Sequence, residues 1–306
     1  MNPAYRSETL IAFVVIVFLV MLVVWAIFDI GSLEPKSEPA WVQKTEGAVK
    51  LGLELALLGL ACGILGGMLG MGGGILKVTG LFLIFGYEMY LVRGVALITN
   101  AFVYGSASYR YRKAGLILPA VTKLLIPSAI LGVILGIIFG NYVGQSFLEK
   151  LLGLHALYVA TDLVWRLLRN KAEQATWKVP QDIDEKKVVG IGIPMGFSSG
   201  SLGIGGGVLS TPLQQIFLKI PLKNAIANSC YAAIFSCILG GVLAIKYGVT
   251  NHYFDLWTPL LISIGILPGA ILGGQIGSFL TNRFSVRIIQ MLLALFMFFS
   301  FYRIWL

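Results

Sequence analysis

The sequence predicts an all-α polytopic membrane protein made of two inverted-topology repeats, each beginning with a glycine-broken helix or re-entrant hairpin, plus one extra N-terminal transmembrane helix. Three observations predict this fold. The 306-residue chain is 57% hydrophobic and only 12% charged, about half the charged share of a soluble protein. A glycine-rich stretch occurs twice in apolar sequence. A second motif follows each copy of that stretch, in the same order.

The first predicted element is a membrane-spanning helix within residues 1–46. The apolar run 10–28 has roughly the 20-residue length that a bilayer requires. It is too long for the core of a signal peptide, and Phe28-Asp29 is not a small-residue cleavage site. We therefore predict that this helix is retained and is followed by an external connection that ends at residue 46.

Two repeats follow, 47–169 and 188–306, and a charged cytoplasmic linker, 170–187, separates them. Apolar runs place one glycine-broken segment and three spans in each repeat. The first repeat contains the broken segment 51–86 and spans near 93–109, 118–140 and 147–166. The second contains the broken segment 188–218 and spans near 224–245, 256–281 and 285–304.

The evidence for duplication is a glycine pattern that recurs at an offset of 133 residues. Nine of 18 positions are identical between 59–76 and 192–209, and both stretches contain three consecutive glycines. Farther along, the motif 127–132 with Gly136 matches 268–273 with Gly277. Two matches in the same order predict an internal repeat, which fixes the choice of fold.

The charge of the loops predicts that the repeats are inverted relative to each other. With the N-terminus in the cytoplasm, 14 Lys and Arg residues fall in cytoplasmic loops and seven, including Arg93, in external ones. Cytoplasmic loops of membrane proteins are enriched in Lys and Arg, so this orientation is favoured. In it, the first repeat starts outside and the second starts inside.

The glycines of each repeat are of two kinds. Those spaced four apart, such as Gly59, Gly63 and Gly67, allow close packing of neighbouring helices. Three consecutive glycines are not required for packing and cost about 1 kcal/mol each relative to alanine within a helix. Irregular backbone at membrane depth is tolerated only where it is buried in protein or lines a cavity. Each triplet therefore predicts a functional break in a helix.

We expect a new helix to begin directly after each triplet, at Ile75 and at Val208. Free amide groups and the helix dipole at these two N-termini would attract an anion. Lys77 lies three residues after Gly74 and adds a positive charge within the membrane. The alternative is that Lys77 extends to the membrane surface. The matching position in the second repeat is Ser210, which predicts an asymmetric site.

Polar pairs at the start of the next spans, Thr99-Asn100 and Asn228-Ser229, could line the same cavity or form hydrogen bonds between helices. The predicted substrate-binding residues are Gly72, Gly73, Gly74, Lys77, Thr99, Asn100, Gly205, Gly206, Gly207, Ser210, Thr211, Asn228 and Ser229.

The runs Gly63–Gly74 and Gly196–Pro212 resemble a signature of the sulfite exporter TauE/SafE family of membrane transporters. The resemblance covers about residues 45–306. It implies a multi-pass protein of the prokaryotic plasma membrane that moves sulfur-containing or organic anions such as sulfite and sulfonates. One departure is that Pro212 is matched by Thr79 in the first repeat, so the two broken helices would bend differently.

The predicted function is secondary transport of small anions by alternating access, with a binding site at the membrane midplane between two facing glycine-rich helix breaks. The expected anions contain sulfur, such as sulfite, a sulfonate or a sulfoacetate-like compound. A passive anion channel or uniporter is the alternative, and a membrane-embedded enzyme is disfavoured. The chain has two histidines, no H-E-x-x-H and no visible Ser/His/Asp set, so we expect no catalytic residues, no metal and no cofactor. The basic residues form no stripe for nucleic acid. The partners considered are the anion, the lipid bilayer, a proton or sodium as coupling ion, and a second copy in a homodimer.

Overall fold

The computed structural model describes residues 41–69, 73–168, 183–280 and 287–305, and all regular secondary structure within these ranges is helical. The predicted helix 10–28, Gly72 and most of the linker 170–187 lie outside the described residues. The described helices are α1 Trp41–Leu69, α2 Gly74–Leu83, α3 Met89–Lys113, α4 Pro119–Tyr142, α5 Gln145–Leu168, α6 Glu185–Leu202, α7 Gly207–Phe217, α8 Leu222–Thr250, α9 Trp257–Leu280 and α10 Arg287–Trp305.

Each span predicted within the two repeats coincides with a described helix, and the ends differ by a few residues. Among these spans, the largest differences are at α3, which extends four residues beyond the predicted 93–109 at each end, and at the C-terminal end of α8. The start of the first broken segment was predicted wrongly: α1 begins at Trp41, ten residues before the predicted 51 and within the predicted external connection. The last turn of α3 carries Arg110, Arg112 and Lys113. Hydropathy ends a predicted span at the first basic residue, whereas basic side chains stabilise the C-terminal end of a helix.

The chain is a multi-pass membrane protein. Among the described helices, four are long and apolar enough to cross a bilayer, within 50–68, 119–142, 222–250 and 257–280. Outward-facing positions of these helices carry large apolar side chains, among them Ile138, Val242 and Leu261, which are 54–64% exposed. Lipid is the solvent that suits such a surface.

Local sequence explains where two of the helices begin. Pro119 occupies the first turn of α4, where its missing N–H group removes no helical hydrogen bond. Helix α6 begins after Asp184, whose carboxylate accepts hydrogen bonds from the backbone N–H groups of Lys186 at 3.1 Å and Lys187 at 3.4 Å. The Lys187 side chain, 3.3 Å from the same carboxylate, holds the pKa of Asp184 below its usual value.

The helices that begin the two repeats each pack along a late helix of the other repeat. Helix α1 packs on α9, and α6 packs on α4. A Cβ added at Gly63 would lie 2.6 Å from the carbonyl oxygen of Ala270, and one at Gly196 would overlap the carbonyl oxygen of Ala129. The close-packing interpretation of the glycines spaced four apart is therefore confirmed.

The second repeated motif supplies the opposite face of these contacts. A Cβ at Gly136 would overlap the backbone of Phe197 on α6, and a Cβ at Gly277 would overlap the backbone of Ile64 on α1. The two motifs that revealed the duplication in the sequence are therefore packing partners, each copy of one contacting the other motif in the opposite repeat. The remaining long contacts join α3 to α8 and α5 to α10.

Candidate functional site

The first glycine triplet lies where α1 ends and α2 begins. Gly73 precedes α2 with φ 62° and ψ 10°, in the left-handed region, where glycine is favoured. A Cβ at Gly73 would also overlap the carbonyl oxygen of Cys62, so both the backbone angle and the close contact require glycine. Helix α2 begins at Gly74, one residue before the predicted start at Ile75. Gly72 lies outside the described residues.

The second triplet lies where α6 ends at Leu202 and α7 begins at Gly207, again one residue before the predicted start. Gly203, Gly205 and Gly206 all have left-handed φ angles, between 67° and 85°. A Cβ at Gly206 would overlap the carbonyl oxygen of Met195. Met195 is the counterpart of Cys62 at the repeat offset of 133, so the two breaks make equivalent contacts.

The two breaks lie in contact with each other. A Cβ at Gly74, the first residue of α2, would overlap the carbonyl oxygen of Ile204 in the second break and lie 2.6 Å from Nδ2 of Asn100. Two side chains on α3 bind the second break directly. Asn100 Nδ2 donates to the carbonyl oxygen of Gly203 at 3.2 Å, and the Tyr104 hydroxyl donates to that of Gly205 at 2.9 Å.

Lys77 lies at this meeting point and is fully buried. Its Nζ donates to Thr99 Oγ1 at 2.9 Å and to Asn100 Oδ1 at 2.8 Å. An ammonium group has three N–H donors, and among the described residues no third acceptor lies within hydrogen-bond distance. The side chain does not extend to the membrane surface, which excludes that alternative for this conformation.

The predicted residues of the second repeat form a separate polar cluster around Gln214. Gln214 Nε2 donates to Ser210 Oγ and to Ser229 Oγ, both at 2.9 Å, and Ser229 Oγ donates to Ser210 Oγ at 2.9 Å. Asn228 Nδ2 donates to Gln214 Oε1 at 3.1 Å, and Thr211 Oγ1 donates to Ser229 Oγ at 3.3 Å. No hydrogen bond between described residues joins this cluster to the Lys77 cluster.

The two clusters are nevertheless equivalent in position. In each repeat, the third residue after the glycine triplet bonds to the polar pair on the next long helix: Lys77 to both members of its pair, and Ser210 to one member, Ser229. The predicted asymmetry, a cation in one repeat and a hydroxyl in the other, is therefore present, but the hydroxyls do not contact Lys77.

The backbone amides of the triplets are only partly available. The first backbone amides of a helix have no hydrogen-bond partner within that helix. In α2 the first such amide is that of Gly74. In the second break, however, the amide of Gly207 donates to the carbonyl oxygen of Gly205 at 2.8 Å. One of the amide donors predicted for this site is therefore used within its own turn.

Three residues of this region were missed by sequence reasoning: Gln214, Tyr104 and Arg93. Gln214 lies four residues after Ser210, and Tyr104 four after Asn100, so helical spacing was the signal that could have found both. Arg93 was assigned to an external loop, which was wrong: it lies in the second turn of α3 and is fully buried. Without it, six external basic residues (seven minus one) remain against 14 inside.

The buried part of the described structure has an unbalanced charge. Two of the buried described residues, Lys77 and Arg93, are charged and none is Asp or Glu, and the half-buried Asp162 on α5 adds one buried carboxylate oxygen. Among the described residues, no group of three His, Cys, Asp or Glu side chains could hold a metal ion. The chemistry available at the breaks is therefore hydrogen-bond donation and positive charge.

Comparison with known proteins gives one family and several relatives. The family model described as "Sulfite exporter TauE/SafE" matches residues 55–304. The chain is similar to "Probable membrane transporter protein MamO" of Paramagnetospirillum magneticum, 37% identical over 242 residues, which are 70% of this chain and 38% of that protein. It is also similar to "Probable membrane transporter protein YunE" of Bacillus subtilis, 30% identical over 105 residues, 34% of this chain and 36% of that protein.

The MamO protein of Magnetospirillum gryphiswaldense matches to the same extent, at 36% identity and 38% of its length. The chain therefore spans less than two fifths of the length of these curated relatives. No solved structure matches this chain.

Proposed function

The chain belongs to the sulfite exporter TauE/SafE family, and from that premise we propose that it is a secondary transporter of small anions that works by alternating access. The family indicates a membrane transporter. The observation that carries the proposal for an anion is the fully buried Lys77 ammonium group where the two glycine breaks touch.

Lys77 favours an anionic substrate because its present partners only partly compensate its charge. Burying an unpaired ion costs several kcal/mol even after the protein relaxes. Thr99 and Asn100 supply neutral oxygen atoms, and among the described residues no carboxylate accepts a hydrogen bond from Lys77. A bound anion would supply the missing negative charge, so the site would be most stable when it is occupied.

The donors near Lys77 suit an oxyanion. The ammonium group, the Thr99 hydroxyl, the Asn100 amide and the first amides of α2 can all donate hydrogen bonds to oxygen atoms. Asn100 and Lys77 now bond to each other and to Gly203, and a substrate would replace some of these bonds. With the family resemblance, this favours sulfite, a sulfonate or a sulfoacetate-like compound.

The packing of the repeats supports alternating access. Helices α1 and α4 of the first repeat correspond to α6 and α9 of the second. The packed pair α1–α9 therefore corresponds to the packed pair α6–α4, as expected for two halves related by a two-fold axis. The loop charges favour an inverted relation between those halves. In transporters of this kind, one half rocks against the other around a site at their interface, which is where the two breaks touch.

The direct test replaces Lys77 with methionine, which keeps much of the side-chain length and removes the charge. Hydrogen bonds to charged groups contribute about 1.5–3 kcal/mol, so we expect the apparent affinity for sulfite in proteoliposome uptake to fall about 10- to 100-fold. The variant should fold, because an apolar replacement for a buried charge is often neutral or stabilising.

The matched control is Lys123→Met on α4, because Lys123 is exposed and the substitution removes the same charge. It should transport like the wild type. An unchanged affinity of Lys77→Met for sulfite, sulfate, thiosulfate and taurine would remove Lys77 from the substrate site.

A further inference from the structure

Arg93 on α3 is a second buried cation and is far less satisfied than Lys77. The whole residue has no exposed surface. Its Nη2 donates to Asn141 Oδ1 at the C-terminal end of α4. Its Nε and Nη1 are buried and have no hydrogen-bond partner among the described residues. A guanidinium group that has lost its water in this way requires an acceptor.

The guanidinium lies between the C-terminal ends of α4 and α6, beside the second glycine break. A Cβ added at Gly140 would overlap Nη1 of Arg93, and a Cβ at Gly203 would lie 2.8 Å from Cα of Arg93. The Tyr90 ring centre lies 5.6 Å from the guanidinium carbon, and Tyr90 stacks on Tyr253 with ring centres 4.6 Å apart.

These neighbours stabilise the cation without neutralising it. The face of a tyrosine ring attracts a cation, and carbonyl groups at helix C-termini carry partial negative charge. Nevertheless, no carbonyl oxygen of the described residues accepts a hydrogen bond from Nε or Nη1. A purely structural role, in which Arg93 caps the two helices, would place carbonyl oxygen atoms at these N–H groups.

Arg93 and the Lys77 cluster lie along one face of the same helix. Arg93 precedes Asn100 by seven residues, which is two helical turns or about 10 Å along the axis. Gly203 contacts both residues: its carbonyl oxygen accepts from Asn100, and its Cα faces Arg93. A path along this face of α3 would therefore pass from one buried cation to the other beside the second break.

We propose that Arg93 forms a second binding site for a small oxyanion, about two helical turns from Asn100. The first site, at Lys77 and Asn100, lies at the other end of this path. The site's position is argued from Arg93 alone, and only the identity of its ligand rests on the proposed function. Nε and Nη1 donate to the oxyanion, and Asn141 orients the guanidinium by holding Nη2.

The test is Asn141→Asp, which places a carboxylate on the atom that already contacts Arg93. The new internal carboxylate pairs with the guanidinium and competes with an external anion. Equilibrium binding of radiolabelled sulfite to the purified full chain in detergent gives the number of sites. We expect two per chain in the wild type, one in Asn141→Asp and one in Arg93→Met, with thermal stability of Asn141→Asp equal to or above that of the wild type.

Asn251→Asp is the matched control, because Asn251 is exposed at the C-terminal end of α8, and it should keep two sites. Two sites in Asn141→Asp, together with raised stability, would show that Arg93 only caps helices and would overturn this proposal. A single site in the wild type that is lost in Lys77→Met and kept in Arg93→Met would also overturn this proposal, but it would leave the proposed function standing. Two sites in Lys77→Met would instead contradict the proposed role of Lys77.

Discussion

Gly73 and Gly206 occupy equivalent positions of the two repeats, and each is restricted in two independent ways. Their φ angles, 62° and 67°, lie in the left-handed region, which costs an L-residue with a Cβ roughly 1–2 kcal/mol. A Cβ at either position would also overlap a backbone carbonyl oxygen of the preceding helix, at Cys62 or at Met195. Backbone atoms cannot move aside as a flexible side chain can, so the second restriction exceeds the first.

Alanine substitution separates these two restrictions. Gly86 has φ 66°, yet a Cβ there would meet nothing within 4 Å. We expect Gly86→Ala to lower the free energy of unfolding by about 1 kcal/mol and to leave transport intact. Gly73→Ala and Gly206→Ala should be more destabilising and should abolish sulfite transport, because the breaks must move to accommodate the methyl group.

Thermal unfolding of the purified chain and uptake into proteoliposomes measure these two effects. Wild-type transport in both Gly73→Ala and Gly206→Ala would dismiss the breaks as the site of function, whatever their stability.

Single residues also show what the sequence could and could not predict. Lys77 was singled out because a lysine in apolar sequence is conspicuous, but the sequence left open whether it extends to the membrane surface, and only the structure shows that it is buried. Its partner Asn100 was predicted as well, but the bond from Asn100 to Gly203 joins residues 103 positions apart. Arg93 was misplaced because a basic residue near the end of an apolar run has the pattern of a loop residue. Only the packed structure shows that the end of α4, the second break and the Tyr90 ring enclose it.

At the scale of helices, the small residues of α6 determine how closely it approaches α4. A Cβ at Gly196 would overlap the carbonyl oxygen of Ala129, and one at Gly200 would overlap that of Val133. Contacts this close bring the two backbones together over two turns. Without a hydrophobic force between helices in lipid, such packing is a main source of their association.

We therefore expect alanine substitution at two glycines of α6 to affect the free energy of unfolding differently. Gly190 is exposed and a Cβ there would meet nothing within 4 Å, so Gly190→Ala should leave stability unchanged or raise it by up to about 1 kcal/mol through helix propensity. Gly196→Ala should lower stability, because α4 and α6 must separate. Unfolding of both variants in the same detergent provides the comparison. Equal stability of the two variants would contradict the packing described here.

The helices themselves were largely predictable, and their partners were not. Apolar runs and glycine triplets located the described helices to within about five residues, except the start of α1 at Trp41, ten residues before the predicted 51. Such runs are informative because membrane spans must satisfy their own backbone hydrogen bonds. The sequence contains both packing motifs, but it gave no indication that 127–136 would face 192–200 across the repeats. Gln214 illustrates the same limit: its three side-chain partners, Ser210, Asn228 and Ser229, come from two helices, and the cluster around it became visible only in the fold.

At the scale of the whole molecule, the two repeats are alike in structure and different in charge. Both have a broken helix, a polar residue three positions after the triplet and a polar pair on the next long helix. Only the first repeat has a cation at that position, Lys77, and Arg93 belongs to the same repeat. Both buried cations therefore lie on one side of the interface between the repeats, and the second repeat contributes the backbone of the second break.

This distribution favours a carrier over a fixed pore. If the repeats rock against each other, the anion stays with the cations of the first repeat while the second repeat opens the site to one side and then the other. A carrier of this kind can couple anion movement to a second ion and accumulate its substrate above equilibrium, whereas a channel or uniporter can only equilibrate it.

We expect proteoliposomes that contain the wild-type chain to concentrate labelled sulfite when a proton or sodium gradient is imposed, and to lose this accumulation when the gradient is dissipated. Vesicles with Lys77→Met serve as the protein-containing control. Equilibration of sulfite that no gradient can drive further would identify the protein as a passive anion pathway.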